Sequence, residues 1–168
     1  MSFSKTLRSA AVAGAMLGAT ILSGCSFSPV YSGALASQPS FQLAYAKPNS
    51  RLEQVIYQEL SLGLGGSTSA TAPLASVSVS PGEADLVLSQ TANPNKPREV
   101  TVAATLTITP RDGSTAPVQT YTRRATSNYT RTGQVIADNA ASIDAFERAA
   151  KSAAESLHLA VLAGASRS

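Results

Sequence analysis

From Glu99 to Thr109 the chain alternates without a break: Val100, Val102, Ala104, Leu106 and Ile108 fall on one side, and Thr101, Ala103, Thr105, Thr107 and Thr109 on the other. Successive side chains of extended backbone point to opposite faces, so this period of two predicts a strand with one face on a core and one facing water or a partner. Such a strand cannot stand alone, because its backbone groups need neighbours and its apolar face needs a covering layer. Pro110-Arg111-Asp112-Gly113 supplies turn residues, and Val118 to about Thr130, rich in Thr and Tyr, reads as the returning antiparallel strand.

The covering layer is helical. Ile136, Ala140, Ile143, Phe146, Ala150, Ala153, Leu157 and Ala160 recur every three or four residues, predicting one apolar stripe along a helix from about Asp138 to Ala163. Asp144 with Arg148, and Glu147 with Lys151, stand four apart with the acid first, the favourable order for pairs along a helix. A second helix, Arg51 to Leu62, opens on Ser50-Arg51-Leu52-Glu53, which has the form of a capping box, and closes at Gly63, Gly65 and Gly66. Phe41 to Tyr45 before it alternates as a short strand.

The middle is less clear. The stretch from Gly65 to Ala75 reads as a loop, Val77 and Val79 suggest a strand that Pro81-Gly82 would break, and Leu86-Val87-Leu88 starts another running to about Thr91. The later segment is the expected second sheet strand, and Asn93 to Pro97 a connector. Strand, helix, two or three strands, helix gives an α+β layer with the helices on one face of the sheet and the Thr-rich face open.

The first 24 residues read as a signal peptide. Lys5 and Arg8 precede the uncharged run Ala10 to Ile21, which falls short of the roughly 20 apolar residues needed to span a bilayer. Leu22-Ser23-Gly24-Cys25 then resembles a bacterial lipobox, in which the cysteine thiol takes a diacylglyceryl group and becomes the first mature residue. Cys25 is the sole cysteine, so no internal disulfide competes for it. At about 0.8 kcal/mol per buried CH₂, two or three acyl chains would hold the protein on a membrane. Ser26, in place of Asp, points to the outer membrane of a Gram-negative cell. Residues 25–40, with Pro29, Gly33 and Pro39 among small polar residues, read as the lipidated tether, and 41–165 as a single domain.

Removing the signal peptide also changes the charge. The full chain carries +3, but with Lys5 and Arg8 gone eleven cations face ten acids, a net of +1. Nucleic-acid binding draws most of its affinity from phosphate contacts and is not expected at that balance.

Catalytic constellations are sparse. The one histidine, His158, falls on the polar side of the last helix near its end, where a cation interacts favourably with terminal carbonyls. No GxSxG, no HExxH and no phosphate-binding loop occurs, so neither enzyme activity nor a cofactor or metal is expected. Glu83 and Asp85 stand near loops and read as solvated surface charge. From Lys96 to Arg131, however, six cations (Lys96, Arg98, Arg111, Arg123, Arg124 and Arg131) face only Glu99 and Asp112. The planar fork of arginine suits phosphate and carboxylate, so the cluster is a candidate contact for a phosphorylated glycolipid. Charged protection of an exposed strand edge explains it equally well.

Several segments carry a resemblance. Cys25-Ser26-Phe27-Ser28-Pro29-Val30-Tyr31-Ser32-Gly33 is similar to the C-G-F-x-P-L-Y-G opening of the LPS-assembly lipoprotein LptE family. Arg51 followed by Gln54-Val55-Ile56-Tyr57-Gln58-Glu59-Leu60 resembles that family's R-x-x-Q-x-(I/L)-x-x-x-L, shifted in detail. Ser127-Asn128-Tyr129-Thr130-Arg131 and Ile143-Asp144-Ala145-Phe146-Glu147-Arg148-Ala149-Ala150 resemble its S-Y-x-R and A-x-x-D-A-x-x-R-A-A patterns. The likeness spans nearly the whole mature chain except Gly65 to Pro81, and Ser26 departs from the family's glycine. It implies two helices on a four-stranded, mixed or antiparallel sheet, seated in the lumen of the LptD outer-membrane β-barrel. There the domain would aid barrel assembly and the passage of lipopolysaccharide to the cell surface. The rival expectation is an auxiliary lipoprotein of an ABC-type lipid-transport system, also a small tethered α+β domain.

Overall fold

In a computed structural model of the chain, residues 41–86 and 95–165 are described. The signal peptide, Cys25 and the tether lie outside the described residues, as does most of the later candidate strand. The elements run β1 (Ala44–Tyr45), α1 (Arg51–Leu64), β2 (Leu74–Asp85), β3 (Lys96–Thr109), β4 (Gln119–Arg131) and α2 (Val135–Ala165). The four strands lie in chain order in one mixed sheet, with β1 parallel to β2 and the other pairs antiparallel. Both helices pack on one face, so the fold is α+β.

The second strand is the earlier of the two candidates. Leu74–Asp85 runs straight through Pro81-Gly82, with Pro81 opposite Val102 and Gly82 opposite Thr101. The reason lies in the direction of the backbone groups. The carbonyls of Pro73 and Ala75 accept the N–H groups of Ala44 and Ala46, and the Val77 N–H also leaves the sheet. Odd-numbered residues of β2 therefore point away from β3, and a proline at position 81 costs the β2–β3 ladder no hydrogen bond. β1 covers only Leu74 and Ala75, so the rest of this side is an edge where proline is tolerated.

Helix α1 begins as a capped helix with one difference. Ser50 Oγ accepts the Glu53 N–H at 3.2 Å, but the Glu53 carboxylate takes the N–H of Asn49, at 2.6 Å, instead of that of Ser50. The reciprocal box thus closes one residue earlier than expected. The helix ends at Gly65, whose φ of 80° is open to glycine and whose N–H reaches the Ser61 carbonyl at 3.1 Å. Between these ends Val55, Ile56, Tyr57, Leu60 and Leu64 are buried.

The core face of the sheet is the one read from the alternation: Val100, Val102, Ala104, Leu106 and Ile108 are all buried, with Ala75 and Val77 beside them. Helix α2 covers it with Ala145, Ala149, Ala150, Ala153, Ala154, Leu157, Ala160 and Val161. Alanine at so many contact positions lets the helix approach the sheet closely at the dense packing of protein interiors.

The expected stripe holds only in its second half. Ile136 is 86 % exposed, Ile143 is 50 % exposed and Ala140 is also exposed, while Asp138 is buried in the first turn. The sheet explains the shift. Before Val100 its core-side positions are Arg98 with Glu83 and Asp85 as cross-strand neighbours, so there is no apolar surface for isoleucines to meet. Asp138 instead ties down the β4–α2 turn, accepting the N–H and hydroxyl of Thr132 at 2.8 and 2.9 Å and the N–H of Gly133 at 2.9 Å.

Two further expectations are corrected. Glu147 pairs with Arg51 of α1 at 2.7 Å and not with Lys151, because the two helices pack side by side and bring that cation within reach. His158 does not stand free on a polar side; it is half-buried and lies over Gly63 of α1, at a distance a methyl group would not fit.

Candidate interaction surface

Register decides which side chains share a face. Opposite Thr101, Ala103, Thr105 and Thr107 stand Gly82, Ser80, Ser78 and Ser76 on β2, and Thr126, Arg124, Thr122 and Thr120 on β4. The uncovered face is therefore a flat field of hydroxyl and methyl groups, knitted in part by Thr105 and Thr122 at 3.0 Å. Arg124 is the only cation within those rows. Apart from Arg124 it carries only small side chains, so it loses little by being hydrated and presents a largely polar wall to whatever meets it.

The six candidate cations do not form one patch. Lys96 stands opposite Arg131, and Arg98 opposite Tyr129, so three gather where the sheet meets the start of α2. Arg98 is largely neutralised there: its Nε lies 3.0 Å from Glu83 Oε1 and its Nη1 3.4 Å from Asp85 Oδ1, with 19 % of the side chain exposed. Arg123 and Arg124 sit mid-strand on β4 and point to opposite faces, Arg123 to the helix side and Arg124 to the hydroxyl side. Arg111 lies beyond the other end of β3 and donates to the Ala72 carbonyl at 2.9 Å, holding the β3–β4 turn on the segment before β2. At about 3.3 Å per residue, β3 alone puts about 43 Å between Lys96 and the turn that holds Arg111, too far for one headgroup.

The end bearing Arg98 is concave. A cleft of about 310 Å³ is lined there by Glu83, Arg98, Tyr129, Arg131, Asp138 and Ser142, among others. Tyr129 donates to Glu83, and burial first, with this bond, holds its phenol above the ordinary value, so it stays neutral. Asp138 is held below the usual carboxylate range, first by the Thr132 N–H. The cleft thus sets a neutral phenol among two carboxylates and two guanidinium groups that largely cancel. Among the described residues no group of three or more His, Cys, Asp or Glu is placed to hold a metal ion.

One residue outside the candidate set organises this end. Arg148 on α2 pairs with Asp144 one turn earlier, donates to Ser127 Oγ at 3.2 Å and to the Asn128 carbonyl at 3.1 Å. The two C-terminal segments that carry the family resemblance are therefore clasped together by a single guanidinium. Sequence spacing showed the Asp144 pair; nothing in it showed the reach to β4. Glu83 and Asp85 are exposed, as expected, and both belong to the end of β2. Continuing the alternation of Ala75, Val77 and Val79 through Pro81 would have put both on the core side of a strand.

No protein-family model matches this chain, and no curated protein does. Solved structures do. A minor lipoprotein from Acinetobacter baumannii superposes with a TM-score of 0.54 at 17 % identity, over 73 % of this chain and 89 % of its own. The rare lipoprotein B from Shewanella oneidensis gives 0.53 at 14 % identity, over 74 % and 94 %. A Caulobacter crescentus CB15 chain designated a lipoprotein gives 0.54 at 20 % identity, over 75 % and 91 %. At these identities the likeness is one of fold, and it covers almost the whole of each of the three.

Proposed function

We propose that this protein is an outer-membrane lipoprotein, acylated at Cys25, that acts without enzymatic chemistry as the partner of an LptD-type β-barrel in lipopolysaccharide transport to the cell surface. The observation that carries the reading is the joining of a lipobox to this fold: Leu22-Ser23-Gly24-Cys25 opens a chain whose domain is shaped like three proteins named as lipoproteins. The resemblance to the LptE family supplies the barrel and the glycolipid. The hydroxyl face supports the same reading, because the interior walls of large outer-membrane barrels are polar and a smooth, nearly uncharged sheet can lie against one.

Depletion of the protein tests the role. Surface lipopolysaccharide should fall and the barrel should accumulate misassembled; normal levels of both would sink the proposal. Mass spectrometry of the mature amino terminus tests the anchor, with an unmodified Cys25 counting against it. Copurification with an inner-membrane ABC transporter in place of a barrel would favour the rival transport system.

A further inference from the structure

The two edges of the sheet are finished differently. On β2 three of the outward positions are closed: Ala75 is paired with β1, the Val77 N–H is bound by Tyr57, and Pro81 has no N–H. Glu83 and Asp85 complete that edge with charge. On β4 the pairing with β3 runs without a bulge from Gln119 to Arg131, and the strand holds neither proline nor glycine. Odd-numbered residues of β4 face β3, so the N–H and C=O groups of Thr120, Thr122, Arg124 and Thr126 point outward. Asn128 shows the same direction, since its carbonyl accepts Arg148 from outside the ladder. Among the described residues the only other partner on this run is the Arg123 guanidinium on the Thr122 carbonyl, at 2.8 Å and exposed.

The free run, Thr120 to Thr126, is as long as an ordinary strand. Its charge is one-sided: β4 carries Arg123, Arg124 and Arg131 and no acid. Pairing two copies of β4 about the middle of the run would set these arginines against each other, which disfavours a second copy of this chain. We infer that the outer edge of β4 is a docking edge for an extended, acidic strand of another protein, which adds to the sheet as a fifth strand. Backbone bonds to Thr122, Arg124 and Thr126 supply the affinity. Two consecutive acids on the incoming strand, facing Arg123 on one side and Arg124 on the other, set its register. This inference does not depend on the role in lipopolysaccharide transport, and its failure would leave that role to be judged by depletion.

Residue-resolved amide hydrogen exchange of the full-length lipoprotein tests it, comparing cell-envelope preparations with protein purified in detergent. The amides of Thr122, Arg124 and Thr126 should exchange at least tenfold more slowly in envelopes, while those of Arg123 and Ala125, bonded to β3, stay protected in both. Thr126→Pro removes an outward N–H without touching the β3 ladder and should abolish the extra protection at Thr122 and Arg124. Fast exchange of the outward amides in both preparations overturns the docking edge. Slow exchange in both overturns it too, since the chain would then cover its own edge. Protection that survives Arg123→Glu with Arg124→Glu overturns the acidic occupant.

Discussion

The phenolic oxygen of Tyr57 accepts the backbone N–H of Val77 at 2.8 Å. β1 is too short to pair with β2 beyond Ala75, so a helix side chain supplies the acceptor that a longer strand would have supplied. Tyr57 is held in place by the ring of Tyr45, edge to face at 5.8 Å. Tyr57→Phe keeps the ring and removes the acceptor, leaving a buried donor without a partner. Such a loss costs about 1–3 kcal/mol, to be read as a lower urea midpoint at unchanged slope.

Tyr45 donates to the Gly65 carbonyl at 3.0 Å, and burial pushes its phenol up to about 12. The neutral form is favoured in the folded state, so its contribution is complete below pH 10 and is lost as pH rises from 10 towards 12. Stability measured across that window should fall more steeply for the natural protein than for Tyr45→Phe, which has no proton to lose. Parallel curves would contradict the assignment.

Asp138 works at the opposite end of the pH scale. The Thr132 N–H above all, with the Thr132 hydroxyl and the Gly133 N–H, holds its carboxyl below the ordinary 3.8. A depressed value means that the stabilisation is present above that pH and fades as the carboxylate is protonated below it. Asp138→Asn should be less stable at neutral pH and show a shallower acid limb below about pH 4. An acid limb identical to that of the parent would show that the turn does not need the charge.

How much of this could be read in advance depended on whether a pattern was local. The alternation at Glu99–Thr109 fixed β3 and its faces, because the period of two follows directly from extended geometry. Ser50 marked the start of α1 because a cap is satisfied within one turn. β2 was the less favoured of two candidates because Pro81 is a breaker only where its N–H would be needed, and that depends on how far β1 extends. The apolar Ile136 and Ile143 suggested a stripe that the sheet does not reach, since Arg98, Glu83 and Asp85 occupy the core side there. The cationic cluster was compact along the chain and spread over the sheet, because a fourteen-residue strand separates Lys96 from Arg111. Arg148 could not be recognised as a clasp until α2 was placed beside β4.

The clasp makes its own prediction. Arg148 is half exposed, so its pairing with Asp144 is screened by water and is worth little. Its bonds to Ser127 Oγ and the Asn128 carbonyl fix the far end of β4 under α2. Arg148→Ala should therefore lower global stability by about 1 kcal/mol or less, while amide exchange at Asn128–Arg131 speeds up more than at Tyr121–Ala125. Arg148→Lys keeps the charge but not the fork and should behave like the alanine variant at β4.

The contact between α1 and α2 at Gly63 and His158 tests the packing of the two helices. A methyl group at position 63 would come within 2.8 Å of His158 Cε1 and 2.9 Å of its Nδ1, closer than such atoms approach. Alanine is a better helix former than glycine by about 1 kcal/mol, so propensity alone says that Gly63→Ala stabilises α1. Overpacking says the reverse, at about 1–3 kcal/mol, because the imidazole must leave its place between the helices. With the ring half-buried, the steric cost is expected to win and the midpoint to fall. In a His158→Ala background the obstacle is gone, and the same substitution should be neutral or stabilising. A double-mutant cycle should therefore show a coupling of about 1 kcal/mol or more between the two sites. Additive effects would mean that the ring moves aside freely, and that Gly63 is not required for the close approach of the helices.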